Sequence, residues 1–254
     1  SAASDVYKRQ DNTSPIQNYK TIQGCSRVVA IPVENGSDGL LLLLNENIPD
    51  YFEVYFNGWD RTNSISLSGV GIHHPGGDVK KISTYGNHLP SSATWLNSDS
   101  NKEGAQNAHW NIIFDETSNG HSVTEGGSSG SPIFNQNKLI IGTLSGGNST
   151  CDNPEGINPY GKLFYHWDKY SQADTGRMDK WLDPIGSGVT SLNGMSQSGK
   201  EYNTSLQRPT EVKATLSLDN TIKISWKEPV YKQIIGGGSQ EAVYIIGLEG
   251  EPFY

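Results

Sequence analysis

The sequence predicts an all-β protein, and three observations support that class. Apolar residues come in short runs, such as the alternating Val28–Val33 and the continuous Leu40–Leu44, which have the length of strands. Turn residues such as Asn57-Gly58 and Gly146-Gly147-Asn148 separate these runs. Glycine makes up 29 of the 254 residues and only 34% of the residues are hydrophobic, as in loop-rich β proteins. Short strands at this spacing favour a sandwich or a barrel.

The elements of the main domain follow one another in a regular order. A helix is predicted around Gly176–Leu182, where Asp183-Pro184 would stop it. The segment Phe52–Phe56 alternates strictly between apolar and polar residues, which is typical of a half-buried strand. The predicted strands are Val28–Val33, Leu40–Leu44, Phe52–Phe56, Val70–Ile72, Trp110–Phe114, Ser131–Phe134, Leu139–Leu144 and Leu163–Trp167.

Composition divides the chain into a main domain, a linker and a small C-terminal module. Residues 11–185 carry the elements above, and residues 186–206 are rich in Gly and Ser, as linkers are. Residues 207–254 alternate with period two up to Trp226 and then Pro229, as in a small β-sandwich. This run resembles the opening of a fibronectin type III domain, which needs about 90–100 residues and would therefore be partial here. Trp226 alone would only indicate a core residue.

The first ten residues, SAASDVYKRQ, differ in character from the rest. They look like translated adapter sequence, and the plainer interpretation is an ordinary disordered terminus. We expect residues 1–10 to take no part in the fold, and we expect the chain to begin inside a longer protein.

Charge and hydropathy exclude several classes of function. The net charge of -8 argues against a general nucleic-acid-binding protein, which would normally carry a basic face. No segment approaches the roughly 18 consecutive apolar residues of a membrane span. The pair His73-His74 lacks the further ligands that a metal site needs, and no glycine-rich loop leads into a helix as a phosphate site would require. We therefore expect no cofactor. Cys25 and Cys151 could pair with each other or with partners elsewhere.

The strongest chemical signal is the loop Gly126-Gly127-Ser128-Ser129-Gly130-Ser131-Pro132. Acyl transfer needs an exposed serine hydroxyl beside backbone N–H groups that can hold an oxyanion, and flanking glycines let the backbone turn sharply enough to aim them. The loop fits the pattern G-x-S-G-x-P of trypsin-like serine endopeptidases. Ser129 is then the nucleophile, and the amides of Gly127 and Ser129 form the oxyanion hole. Taken alone, such a cluster is as often a plain turn.

A competing interpretation of the same loop is the nucleophile elbow of α/β-hydrolases. Its pattern G-x-S-x-G is also satisfied, but an elbow requires a helix immediately after the serine. Here Pro132 and the apolar Ile133-Phe134 follow, which predicts a strand. The strand–turn–strand context excludes the elbow.

Residues upstream of the serine loop include a second candidate catalytic residue, and they carry a resemblance to a known family. Asp38 stands at the mouth of the buried run Leu40–Leu44, where a carboxylate is well placed to orient an imidazole. Over roughly residues 17–185 the order of motifs resembles that of secreted bacterial lysyl endopeptidase-like proteases, a branch of the trypsin-like family. The motifs are Asp38 with LLLLLN, Gly58-Trp59-Asp60-Arg61, Ile72-His73-His74-Pro75-Gly76-Gly77-Asp78 with Lys80-Lys81-Ile82-Ser83, Thr124–Pro132, and Tyr160-Gly161-Lys162.

The resemblance implies a trypsin-like double β-barrel, here with an incomplete N-terminal barrel, followed by the partial β-sandwich. It implies a secreted or cell-surface enzyme that hydrolyses protein or peptide substrates through an acyl-enzyme, and we expect a monomer. Asp38 would orient the histidine, Ser129 would attack, and Gly127 with Ser129 would stabilise the oxyanion. Ser128 replaces the Asp of digestive trypsins, so that no buried N-terminal ion pair is needed to shape the loop.

The catalytic histidine of this family precedes the Asp, and no histidine precedes Asp38 in this sequence. His73 and His74 match the family's separate His-His-Pro motif, and His109 and His121 are expected to be surface or loop residues. We therefore expect these 254 residues to be a fragment that lacks its general base and is inactive.

Specificity is the second departure from the family. Its lysine-selective members place an Asp shortly before the Tyr-Gly-Lys/Arg motif, where it can pair with the substrate ammonium. Asn158 stands there in this sequence, just before Tyr160, and these two residues are the candidates for the specificity pocket. Asp152 and Glu155 lie nearby. A neutral amide does not offset the desolvation of an ammonium group, so that we expect no strict requirement for lysine.

A different class of function remains open from the sequence. The chain could be a catalytically dead protease homologue that serves as an extracellular binding or adhesion protein. The serine loop favours the enzyme, because a binding protein need not retain it.

Overall fold

The computed structural model describes residues 20–78, 80–97, 101–118 and 120–198, together with the backbone of two strands at 210–216 and 222–227. Strands dominate and helices are short, so that the predicted all-β class is confirmed. Residues 1–10 lie outside the described residues. In the described part of the chain, no helix is long and apolar enough to span a membrane.

The strands in chain order are β1 Cys25–Ile31, β2 Gly39–Leu44, β3 Tyr55–Phe56, β4 Trp59–Asp60, β5 Gly69–His73, β6 Lys81–Tyr85, β7 Ser91–Ala93, β8 Leu96–Asn97, β9 Lys102–Glu103, β10 His109–Ile112, β11 Glu116–Thr117, β12 Gly120–His121, β13 Pro132–Asn135, β14 Ile140–Leu144, β15 Asn158–Lys162, β16 Ser191–Leu192, β17 Met195–Ser196, β18 Thr210–Leu216 and β19 Ile222–Lys227. The α-helices are α1 Leu163–Asp168 and α2 Asp179–Leu182, and 3-10 turns lie at Asp50–Phe52, Pro75–Gly77 and Asp174–Gly176.

One curled sheet forms the body of the described structure. Its strands follow the order β6-β5-β13-β14-β15-β10-β7, with antiparallel neighbours along that path. Strand β4 joins β14 and β16 beside this path. Strand β13, which follows the serine loop directly, therefore lies between β5 and β14 near the middle of the sheet.

Strand β13 is apolar because both of its faces are covered. Ile133 packs into a cluster inside the curled sheet with Tyr85, Phe114 and Tyr160. The next residue, Phe134, points to the opposite face and joins a second cluster. Successive strand residues alternate between faces, so that a strand buried on both sides reads as a continuous apolar run. The end of the serine loop is thereby fixed by two cores.

The second cluster joins the sheet to the hairpin of β1 and β2 and to α1. Val29, Ile31 and Leu41 of the hairpin are buried against Trp59 and Trp167, whose ring centroids lie 4.7 Å apart. The register pairs Ile31 with Gly39, so that Asp38 lies at the turn immediately before β2. The hairpin thus carries Asp38 on a firmly packed base.

The prediction of a strand at Leu163–Trp167 is wrong. The strand in this region is β15, which ends at Lys162, and the next residues form α1. Helix α1 buries Leu163, His166 and Trp167, at positions i, i+3 and i+4 of one helical face. The run was misread because five residues are too few to separate period two from period 3.6.

The strand predicted at Phe52–Phe56 is reduced to its last two residues. Asp50–Phe52 forms a 3-10 turn, and Glu53 ends it in the left-handed conformation at φ 54°. Only Tyr55–Phe56 pairs, with β17. The first part of the alternating segment FEVYF therefore lies in a tight turn, where the backbone cannot pair with another strand.

The end of the main domain agrees in part with the sequence. The helix predicted at Gly176–Leu182 is a 3-10 turn at Asp174–Gly176 followed by α2, which ends before Asp183 as expected. Within the predicted linker, β16 and β17 pair with β4 and β3. Strands β18 and β19 form an antiparallel hairpin, as the alternating pattern predicts. The fibronectin-like module itself stays a prediction.

Candidate active site

The serine loop between Glu125 and Ser131 is built from two successive backbone turns. The Ser128 N–H donates to the Glu125 carbonyl at 3.0 Å, and the Ser131 N–H donates to the Ser128 carbonyl at 3.1 Å. Between them, the Gly130 N–H donates across to the Leu144 carbonyl on β14 at 2.8 Å. The loop is therefore tied both to itself and to the sheet.

Gly127 is required by the backbone at the third position of the first turn, which runs from Glu125 to Ser128. Its φ is +99°, a value that side-chain-bearing residues rarely adopt. A Cβ on Gly127 would also lie 3.1 Å from the carbonyl oxygen of His74. Both constraints explain why glycine precedes the serine pair.

The two adjacent serines of the loop have opposite environments. Ser128 has no solvent exposure, whereas Ser129 is exposed. The Ser128 hydroxyl is engaged with the ring of His73 at 2.9 Å and accepts the Glu125 N–H at 3.3 Å. Of the pair, only Ser129 has the accessible side chain that a nucleophile needs.

The two predicted oxyanion donors, the N–H groups of Gly127 and Ser129, have no acceptor among the described residues. Within the described part of the chain, neither the Gly127 N–H nor the Ser129 N–H donates a hydrogen bond. The amides of Ser128 and Gly130, which alternate with them, are both used inside the fold. The two N–H groups that an oxyanion hole would use are thus left free by the loop.

Asp38 lies in a turn where its carboxyl is partly buried and close to a hydroxyl group. Its backbone has a left-handed φ of 58°, and its N–H donates to the Pro32 carbonyl at 3.1 Å. Burial raises the pKa of the Asp38 carboxyl, and the nearby Ser145 hydroxyl opposes that rise. Ser145 directly follows Leu144, whose carbonyl accepts the Gly130 N–H. The carboxyl of Asp38 therefore stands beside the strand that supports the serine loop.

Each described histidine has its own place, and none is hydrogen-bonded to Ser129. The His74 Nδ1–H donates to the Asp78 carbonyl at 3.0 Å, and the His166 Nε2–H donates to the Ser37 carbonyl at 3.1 Å. His73 lies between two hydroxyls. His109 is fully buried, not a surface residue as expected, and neither of its ring nitrogens has a partner in the described residues.

Burial keeps the imidazoles of His73, His109 and His166 neutral. It lowers the pKa of His73 to about 4, with further lowering from His74 and Lys81. It lowers the pKa of His109 to about 3 and that of His166 to about 4. Each value lies well below the ordinary 6.5, so that the rings carry no charge at neutral pH.

The structure also contains a buried lysine, Lys162, whose burial the sequence did not predict. The Lys162 side chain has no solvent exposure, and its ammonium donates to Asn63 Oδ1 and Ser92 Oγ. It also lies 3.8 Å from the centre of the Trp110 ring. Burial lowers the pKa of Lys162 to about 8. Only the Tyr-Gly-Lys motif marked this residue in the sequence, because the residues around it come from distant segments.

Asn158 is buried in a fully paired network. Its Oδ1 accepts from Thr124 Oγ1 at 2.6 Å and from Ser149 Oγ at 2.7 Å. Its Nδ2 donates at 3.2 Å to the carbonyls of Ile112 and Gly156. Two carbonyl acceptors fix which end of the amide is the NH₂ group. A carboxylate here would face both carbonyl oxygens, so that the site is built for an amide.

Tyr160, the other predicted pocket residue, lies in the core of the curled sheet with no solvent exposure. Burial raises the pKa of its phenol. Its hydroxyl would lie 3.2 Å from a Cβ on Gly71 of β5. Tyr160 is therefore a core residue and has no surface to offer a substrate.

Metal-ligating side chains form no cluster in the described residues. No three His, Cys, Asp or Glu side chains are close enough together there to hold an ion. Cys25 and Cys151 are both exposed and are not bonded to each other.

Comparison with protein-family models places this geometry in a known context. Residues 3–161 match the model described as lysyl endopeptidase, C-terminal domain. The chain belongs to this lysyl endopeptidase family. The match contains Asp38, the serine loop and Asn158, and it begins inside the segment of residues 1–10 that we expected to take no part in the fold. The family relationship supports a protease-related protein.

The buried histidines predict a pH dependence of stability. The unfolded chain binds more protons than the folded chain between the lowered pKa of His109, about 3, and its ordinary 6.5, so that stability falls as the pH falls through this window. We expect His109→Leu to reduce the loss of unfolding free energy between pH 7 and pH 5, measured by urea denaturation. The exposed His88→Leu is the matched control and should leave the loss unchanged. An equal loss in wild type and His109→Leu would contradict the prediction.

Proposed function

We propose that this chain carries the nucleophile and the orienting carboxylate of a secreted serine endopeptidase. The observation that carries the proposal is the contrast within one loop. Ser129 is exposed, and neither its own N–H nor that of Gly127 has an acceptor among the described residues, while its neighbour Ser128 is buried and hydrogen-bonded. A simple turn would not need this division of roles.

The chemistry follows from these groups. The Ser129 hydroxyl attacks the carbonyl carbon of a peptide bond and gives its proton to an imidazole. The carbonyl oxygen becomes an oxyanion held by the N–H groups of Gly127 and Ser129. The imidazole then protonates the departing amine, and water hydrolyses the acyl-enzyme by the reverse steps. Asp38 would hold the imidazole in the correct tautomer and stabilise its charged form.

The imidazole is the one catalytic group that has no counterpart at the expected place in this sequence, before Asp38. Every histidine follows Asp38, and no described histidine is hydrogen-bonded to Ser129. We propose that a segment outside these 254 residues supplies it. The absence of a base beside Ser129 is also what favours the second candidate, a catalytically dead homologue that binds extracellular partners. The free oxyanion donors favour the enzyme, because binding alone would not maintain them.

The first test is hydrolysis by the chain itself. Members of a catalytic triad act as a unit, so that a missing imidazole should cost about 10⁴–10⁶ in rate. We expect the purified 254 residues to show no hydrolysis of denatured casein above background, and the native protein that contains them to be active. In that native protein, Ser129→Ala should abolish hydrolysis and Ser131→Ala, in the same loop, should not. Activity of the isolated chain that Ser129→Ala removes would overturn the proposed external base.

Substrate preference follows from the neutral network around Asn158. An ammonium group that loses its water needs a negative partner in close contact. Thr124, Ser149 and Asn158 are buried, carry no net charge and are hydrogen-bonded to one another, so that they offer no negative partner to an ammonium group. We therefore propose that the enzyme accepts residues other than lysine before the cleaved bond.

This specificity is measured with a panel of fluorogenic peptides that differ only in the residue before the cleaved bond. The panel contains Lys, Arg, Gln, Leu and Ala, and the enzyme is the native protein. We expect kcat/KM for lysine to exceed that of the best neutral residue by less than about tenfold, since the described network around Asn158 contains no carboxylate that distinguishes them. Cleavage confined to lysyl peptides would contradict the proposal.

A further inference from the structure

The serine loop is held from beneath by the segment that follows strand β5. His73 is the last residue of β5, and its Nδ1 lies 2.9 Å from Ser128 Oγ. Its Nε2 lies 2.8 Å from Ser83 Oγ on the neighbouring strand β6. His73 is 2% exposed, so that water cannot replace either hydroxyl. The imidazole thus bridges the sheet to the loop.

Two backbone contacts from the same segment support the loop beside this bridge. The Gly76 N–H donates to the Gly126 carbonyl at 2.9 Å. The carbonyl oxygen of His74 packs closely over Gly127, where a Cβ would lie only 3.1 Å from it. The residues 73–76 therefore contact the serine loop at Gly126, Gly127 and Ser128, immediately before the nucleophile.

His73 itself is unsuited to act as the general base. Both of its ring nitrogens are engaged by hydroxyl groups, and its ring has almost no surface. It contacts Ser128 and not Ser129. Any influence on the reaction must therefore pass through the position of Ser128.

We propose that His73 is a positioning residue that anchors Ser128 and so holds the N–H groups of Gly127 and Ser129 at the oxyanion site. This inference rests on the proposed function for its catalytic consequence. Ser128 lies between the two donor residues. The peptide unit after it carries the Ser129 N–H, and the peptide unit before it is joined directly to Gly127, so that a shift of Ser128 reorients the first donor and displaces the residue that carries the second. Hydroxyl groups both donate and accept, so that either neutral tautomer of His73 satisfies Ser83 and Ser128 together.

A matched pair of substitutions separates anchoring from packing. In His73→Asn the amide group lies near the position of Nδ1 and can keep the bond to Ser128, while the bond to Ser83 is lost. In His73→Gln the amide reaches the position of Nε2 and can keep Ser83, while Ser128 is released. Gln is the larger residue and fills the site better, so that a packing role would favour Gln over Asn.

The first readout is hydrogen exchange of the loop amides in the 254-residue chain, followed by NMR. The amides of Ser128 and Ser131 close the two turns of the loop. We expect their protection to fall by about tenfold or more in His73→Gln and in Ser128→Ala, and by less than about threefold in His73→Asn. Amides of β14 should keep their protection in all variants. Retained protection in His73→Gln, or equal loss in Gln and Asn variants, overturns the proposal.

The second readout is peptide hydrolysis by the native protein that contains these residues. Removing a single oxyanion donor costs about 10²–10³ in kcat, and a displaced loop should cost about 10–10² in kcat in His73→Gln. KM should change by less than about threefold, and His73→Asn should recover most of kcat. Equal kcat in all three proteins overturns the positioning role. If no protein hydrolyses peptides, the proposed function fails, whereas the exchange readout still decides whether His73 anchors Ser128.

Discussion

The hydrogen bond between the buried Ser128 hydroxyl and the ring of His73 is the contact on which the candidate site depends. It places one serine of the loop inside the protein, and the next residue, Ser129, must then face solvent. A buried hydroxyl without a partner would cost about 1–3 kcal/mol, so that the partner decides which way the loop turns. A neutral pair, one imidazole and one hydroxyl, therefore fixes the loop at this point.

Neutral groups are a general feature of this interior. The imidazoles of His73 and His109 have pKa values lowered by burial, and the network at Asn158 contains only hydroxyls, an amide and backbone carbonyls. Desolvation of a charge is costly, and uncharged groups avoid this cost. Lys162 is the exception, and it compensates with two oxygen acceptors and the face of Trp110. The neutral Asn158 is also why lysine recognition is not expected.

Local signals in the sequence predicted individual strands and turns better than the contacts between distant segments. The run Leu40–Leu44 and the loop around Ser129 were readable, because burial of a strand and a sharp glycine turn are encoded by adjacent residues. The helix at Leu163–Trp167 was misread, because its period is ambiguous over five residues. The partnership of His73 with Ser128 was not predictable, since 55 residues separate them and only the pairing of β5 with β13 brings them together. Contacts made by sheet topology leave no local pattern.

Covalent labelling of the serine tests the central claim most directly. The native protein that contains these residues is treated with a fluorophosphonate, digested and mapped by mass spectrometry. An activated serine beside free oxyanion donors reacts with such a phosphorylating agent, whereas ordinary serines do not. The account predicts a single adduct on Ser129 and none on Ser128 or Ser131. An adduct on Ser128, or the absence of any adduct in a protein that hydrolyses peptides, would contradict it.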